Sequence, residues 1–303
     1  MNLAVISLRQ IFIMVILMAI GIMSHKANLI DDETNKKLSN FVLMLVNPLV
    51  IFLSYQREFQ KDLLIGLMVS LFLGIISFIL NIFLSRLLFP NKYNKNRATE
   101  RFATIYSNCG FIGIPLVNGL FGSEGVFYIT AYMTIFNLLV WTHGIILISG
   151  RKDWNSIKKS LLSPSVIATI SGFIFFIARL GLPDIVLEPL NHLGNTNTPL
   201  AMIVAGVSIA QTNLKELIKN YRIFYVSFFK LLGLPLLIAA LFSLLPFEQT
   251  ITATSILANA CPTATTLIMF AYRYDKNVTY SSQLFAATTI LSMITIPIVM
   301  FFA

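Results

Sequence analysis

The sequence predicts an all-α membrane protein: ten transmembrane helices in two inverted repeats of five. Three observations carry this. Apolar runs recur almost without pause, basic residues gather on one side of them, and the second half repeats markers of the first at a fixed offset. Only 12% of the 303 residues are charged and 56% are hydrophobic, against about 25% charged in a soluble domain. Mean hydropathy is +0.79. Runs long enough to cross hydrocarbon fill the chain and leave no room for a sizeable soluble domain.

In order, the spans fall at roughly 3–24, 37–55, 63–89, 98–121, 124–149, 161–182, 186–210, 222–245, 250–272 and 279–302. The first has no A-x-A-like cleavage site before the charged segment 25–37, so it reads as a retained span rather than a signal peptide. The second and seventh are short or interrupted, with Pro48 and Pro199 inside them. The fourth and ninth carry polar breaks, "NCGFIGIP" at 108–115 and "NACPTAT" at 259–265. With ten spans, alternate loops lie on opposite sides, and 17 lysines and arginines fall on one side against 4 on the other. The positive-inside rule places the rich side in the cytoplasm of a cytoplasmic-membrane protein, with both termini outside.

The halves match at a shift of 151 residues: Gly21 with Gly172, Pro48 with Pro199, Asn108 with Asn259, Glu124 with Asp275. This divides the chain into repeats at 1–150 and 151–303. Five spans is an odd number, so the second copy enters the membrane in the opposite orientation, an arrangement of many secondary transporters.

The formal charge of +9 is a topology signal and not a nucleic-acid surface, because the basic residues sit in short loops. The two cysteines, Cys109 and Cys261, form no metal-ligand or CxxC spacing, so neither a metal nor another cofactor is expected. His25, His143 and His192 lie on separate segments without an HExxH or paired-acid motif, which weakens a membrane-embedded enzyme. No GxxxxGK[ST] loop is present, so energy comes from ion or substrate gradients. A sensor that binds a ligand without moving it stays open as an alternative.

In hydrocarbon every backbone polar group needs a partner, so a broken helix persists only when buried in protein or lining a wet cavity. Pro115 and Pro262 lack an N–H and clash with the carbonyl four residues back. Freed N–H groups of a half-helix carry partial positive charge and hold anions. Interruptions at corresponding places in two repeats point to a transport site. The candidate binding residues are Asn108, Cys109, Gly110, Gly113 and Pro115 in one break, and Asn259, Pro262, Thr263 and Thr265 in the other.

The stretches "NCGFIGIPLVNGLFGSEG" (108–125), "NLLVWTHG" (137–144) and "ANACPTATTLIMFAYRYDKN" (258–277) resemble the bacterial auxin efflux carrier (AEC) family, as do "KLSNFVLMLVNPLVIF" (37–52) and "PLAMIVAGVSIA" (199–210). Plant PIN-type auxin carriers are similar at Asn108, Gly113, Ile114, Pro115 and Leu116, and at Pro262, Phe270, Ala271 and Tyr274. The resemblance implies a scaffold of spans one, two, six and seven and a mobile unit of the remaining spans. It implies that spans four and nine cross at their breaks, where an organic anion such as malate binds. It further implies alternating access and a homodimer through the scaffold. Lipid and the anion are the expected partners. The sequence departs from the plant carriers in three places: Leu267 replaces a second proline, the fifth-to-sixth loop is about ten residues, and the third span has no acid.

Individual residues carry alternatives. Asn108 and Asn259 offer amide donors to a carboxylate, or serve as interhelical glue. The threonines after Pro262 bond substrate or their own helix. Asn47 contacts substrate or caps a kink. Lys230, about eight residues into the eighth span, either snorkels to the cytoplasmic face or draws anions into a cavity. His143 is a proton carrier or a packing residue. Glu124 and Asp275 cap helix N-termini or take part in ion coupling. Cys109 and Cys261 are small packing residues that come together if the breaks cross.

Overall fold

The computed structural model describes residues 3–90, 95–151, 162–212 and 214–303. Lys92 and the expected fifth-to-sixth loop with Lys152, Lys158 and Lys159 lie outside the described residues. Among those described, the chain is helical, and six helical stretches are long and apolar enough to cross a membrane: Val5–Lys26, Asp32–Ser54, Lys61–Leu88, Cys109–Ser149, Tyr221–Phe242 and Val278–Phe301. It is a multi-pass membrane protein.

The first half contains α1 (Leu3–Lys26), α2 (Asp32–Phe41), α3 (Asn47–Ser54), α4 (Lys61–Leu88), α5 (Arg97–Ile105), α6 (Ile114–Leu139) and α7 (Ile145–Ser149). The second contains α8 (Pro164–Ile177), α9 (Asp184–Asn195), α10 (Asn197–Ala210), α11 (Leu214–Lys219), α12 (Tyr221–Phe228), α13 (Leu234–Phe242), α14 (Gln249–Ala260), α15 (Thr266–Arg273) and α16 (Val278–Phe301).

Among the described residues, four widened π turns adjoin helices: Val42–Val46, Cys109–Gly113, Val140–Gly144 and Phe229–Gly233. Three of them run straight into a proline in the first turn of the next helix, Pro48, Pro115 and Pro235. The missing N–H and the ring clash exclude a regular i→i−4 turn there, and one extra residue per turn relieves both. Within α6, Gly122 stands at φ 61°, ψ −154°, a backbone conformation open to glycine, and breaks the helical course between the expected fourth and fifth spans.

A close helix approach joins the halves. A Cβ on Gly21 of α1 would lie 2.2 Å from the Ile203 carbonyl oxygen of α10, and one on Gly206 of α10 would lie 2.0 Å from that of Met18. Only hydrogen fits at these two points, so small residues bring the backbones into contact, as is common in membranes. α3 packs on α8 and α9, α4 on α6, and α14 on both α4 and α6. Outward faces stay apolar: Phe12, Ile16 and Met23 on α1 and Ile79, Phe83 and Leu87 on α4 are exposed. Such patches suit lipid and not water.

Candidate functional site

Two interrupted helices meet inside the bundle. The first interruption covers residues 106–108, between α5 and the Cys109–Gly113 turn. It begins two residues ahead of "NCGFIGIP", whose Cys109–Gly113 part is a wide turn instead of a loop. The second covers residues 261–265, between α14 and α15, and includes Pro262. Ser107 and Thr263 form an antiparallel bridge. Asn108 N donates to the Pro262 carbonyl at 2.7 Å, and Ala264 N to that of Tyr106 at 2.9 Å. Each break thus supplies the other's missing backbone partners, which hydrocarbon cannot.

Side chains satisfy further backbone groups. Thr263 Oγ1 donates to the Ala103 carbonyl at 3.0 Å, and Thr288 Oγ1 accepts from Thr263 N at 3.2 Å. The Asn259 carbonyl, in the last turn of α14, accepts from Ser107 Oγ at 3.0 Å and from Lys230 Nζ at 3.1 Å. Lys230 Nζ also donates to Ser107 Oγ at 2.5 Å. A cation at a helix C-terminus opposes the negative end of the macrodipole.

Lys230 is buried, at 1% exposure. It does not snorkel. It lies in the Phe229–Gly233 turn and points into the crossing. No carboxylate of the described residues lies within 4 Å of its ammonium.

Asn108 Nδ2 and both amide atoms of Asn259 are buried without a hydrogen-bond partner in the protein. The Tyr132 hydroxyl sits beside Ser107 and Asn259 with no aligned bond to either. Cys109 and Cys261 are buried, and a Cβ on Gly113 would lie 3.4 Å from Cys109 Cβ and 3.3 Å from Cys261 Sγ. The crossing therefore carries the Lys230 amino group, the unpartnered amides of Asn108 and Asn259 and the Tyr132 phenol, with no carboxylate within 4 Å of Lys230 among the described residues.

Asn47 neither caps a kink nor stands free. Its Nδ2 donates to the Gly110 carbonyl at 3.2 Å, and its Oδ1 accepts from Asn197 Nδ2. Both asparagines are buried. They tie the starts of α3 and α10 to the first break. One turn along α3 and one turn back along α9, Val50 and Gly194 line a cavity of about 150 Å³ with Ser54, Asn118, Asn191 and Asn195.

The chain matches the Membrane transport protein family (Mem_trans) over residues 6–158 and 153–300. It belongs to that family. In this Mem_trans chain, similarity extends to an uncharacterized transporter of Methanocaldococcus jannaschii, 24% identical over 303 residues and covering 94% of this chain and 95% of the relative. An uncharacterized transporter of Methanothermobacter thermautotrophicus is 30% identical over 199 residues, 65% of each chain.

The crossing of this Mem_trans protein brings together Asn108, Cys109, Gly113, Asn259, Pro262, Thr263 and Lys230. Gly110 is held by Asn47, and Pro115 opens α6, its carbonyl accepting from Gln10 Nε2 at 3.4 Å. Thr265 sits half-buried at the head of α15. His143 hydrogen-bonds the Tyr106 hydroxyl at 2.8 Å, one residue from the bridge but outside it. Glu124 lies just past Gly122, near Arg57 and Tyr128. Asp275 does not cap α16. It is an exposed residue at φ 52° that ends α15, where Lys276 N reaches back to the Ala271 carbonyl, while Asn277 caps α16 by accepting from Tyr280 N.

Sequence reasoning missed four participants: Ser107, Tyr132, Thr288 and the acid Glu100. Glu100 is buried on α5, paired with Nε and Nη2 of Arg222 at 2.8 and 2.9 Å, and accepts from the Tyr280 hydroxyl at 3.1 Å. It clamps the half-helix α5 to α12 and α16.

Proposed function

We propose that the protein is a secondary transporter that moves a small organic anion, a dicarboxylate such as malate, across the cytoplasmic membrane by alternating access. One observation carries the reading: the paired interruptions hold a buried lysine and asparagine amides without partners, with no carboxylate within 4 Å of the lysine among the described residues. Unpaired polar groups are costly in a low-dielectric interior, and a carboxylate is the ligand that accepts from all of them. A bound dicarboxylate draws its donors from Asn108, Asn259 and Lys230, with Tyr132 at the edge.

The ten-span reading, with the second half inverted, fits this role. The helices expected to form the scaffold are in close contact, α1 with α10 and α3 with α8. The 150 Å³ cavity supplies a polar approach along the boundary between α3, α9 and α6. By the charge distribution, this approach faces outside. The Asn47 and Asn197 amides separate it from the crossing. Movement of α4–α7 and α12–α16 against the scaffold then exchanges one open side for the other. A homodimer through the scaffold keeps that part fixed in the membrane. In liposomes, purified protein is expected to move labelled malate, succinate or malonate, and Asn108→Ala is expected to abolish that flux. Undiminished flux in the variant contradicts the assigned site.

A further inference from the structure

An ammonium has three hydrogens to donate, and a neutral amine has two. Lys230 Nζ has two acceptors in the protein, Ser107 Oγ at 2.5 Å and the Asn259 carbonyl at 3.1 Å. Both acceptors are neutral. Both hydrogens of the amine form are therefore placed by the protein alone. The ammonium form has one hydrogen left over and a buried charge with no counter-charge among the described residues. A carboxylate at the crossing supplies both deficits at once.

Among the described residues, the helices packed around Lys230 offer no substitute. The Phe229–Gly233 turn packs against α5, α12, α13, α14 and α16. α13 and α14 carry no ionisable side chain. On α5 and α12, Glu100 and Arg222 are committed to each other, Tyr280 of α16 bonds the same carboxylate, and Arg101 donates to the Arg86 carbonyl. Arg97, Tyr221 and Tyr225 complete the ionisable groups of those helices. Near Lys230 are the Cys109 and Cys261 thiols, with the Tyr132 phenol near Ser107 and the Asn259 side chain. In their ordinary forms none of these three carries charge at neutral pH.

We propose that Lys230 couples anion binding to proton binding, so that one proton travels with each anion. The inference rests on the anion-transport reading above. As the carboxylate enters from water, the lysine amine takes one proton from the same side. The ammonium then donates its third hydrogen to the carboxylate. On the opposite side the anion leaves, the ammonium loses its partner, and the proton returns to water. The N–H bond formed on one side is the bond broken on the other, and no further reactant enters the cycle. Transport then responds to a pH gradient and is indifferent to sodium.

The test counts protons. Purified protein in weakly buffered detergent solution receives fully ionised malate, succinate or malonate, across neutral to mildly alkaline pH. A pH indicator follows proton uptake, and thermal stabilisation follows binding. The wild type is expected to take up as much as one proton per acid bound. Lys230→Arg keeps the charge but cannot release it, so any acid it binds is expected to bring no proton uptake. In liposomes any flux it retains is expected to lose its response to a pH gradient. Binding by the wild type with no proton uptake at any of these pH values overturns the coupling and leaves the anion site standing. Uptake that persists in Lys230→Arg also overturns it, because the proton then goes elsewhere. Failure of all three acids to bind the wild type overturns the anion reading and the coupling together.

Discussion

Asn259→Ala separates a structural role from a binding role. The backbone of Asn259 does the structural work: its carbonyl accepts from Ser107 and Lys230, and alanine keeps that carbonyl. The side-chain amide is buried at 1% exposure with neither polar atom bonded. Leaving a buried polar group unsatisfied costs about 1–3 kcal/mol. Truncation removes that cost and leaves a small cavity of similar size in energy, so the melting temperature is expected to hold within a few degrees or to rise. A hydrogen bond from the amide to a charged carboxylate is worth about 1.5–3 kcal/mol, so affinity is expected to fall about 10- to 150-fold. The assay is ligand-dependent thermal stabilisation in detergent, titrated with malate, succinate and malonate. A large drop in melting temperature with an unchanged response to ligand refutes the reasoning, since it makes the amide interhelical glue.

Other consequences follow from the same geometry. Lys230→Met, close in length but without charge, is expected to lose flux in liposomes while still folding, as judged by a monodisperse elution profile. Cys109 and Cys261 are expected to be joined by a short membrane-permeant thiol crosslinker, detected as one linked peptide pair by mass spectrometry; repeated failure across several linker lengths contradicts the crossing. Gly206→Ala places a methyl 2.0 Å from the Met18 carbonyl oxygen, and overpacking of about 1–3 kcal/mol is expected as a lower melting temperature. Glu100→Gln strands Arg222, whose side chain is 31% exposed and so partly relieved by solvent. A loss of about 2 kcal/mol in stability is expected there, below the full penalty for a buried pair.

Much of this was legible in the sequence, and the limits have physical causes. Span length sets hydropathy, so the long helices are visible in composition. Glycine and proline act on their own backbone, so the interruptions near Asn108 and Pro262 are visible too. Gly21 and Gly172 are legible as markers, and both occupy tight contacts, Gly21 against Ile203 and Gly172 against the Tyr55 ring. What joins residues far apart in the chain leaves no local trace: the bridge from Ser107 to Thr263, and the pairing of Glu100 with Arg222. The direction of Lys230 is hidden for a different reason. A π turn inserts one residue and rotates every later side chain by about 100°, so depth along the span does not reveal the face. One unused signal was present. Gly66, Ser70, Gly74, Ser77, Asn81 and Ser85 recur at helical spacing through α4, and all six are buried. There Ser70 Oγ donates to the Tyr128 carbonyl at 2.8 Å, and Gly74 meets Tyr132.

The central claim is that the crossing of the two broken helices is where an organic anion is carried. Its most direct measurement is counterflow of labelled malate, succinate and malonate in liposomes, comparing the wild type with Asn108→Ala and Lys230→Met reconstituted at equal density. Counterflow of at least one acid by the wild type, lost in both variants, is the predicted result. Equal counterflow in all three proteins contradicts the account.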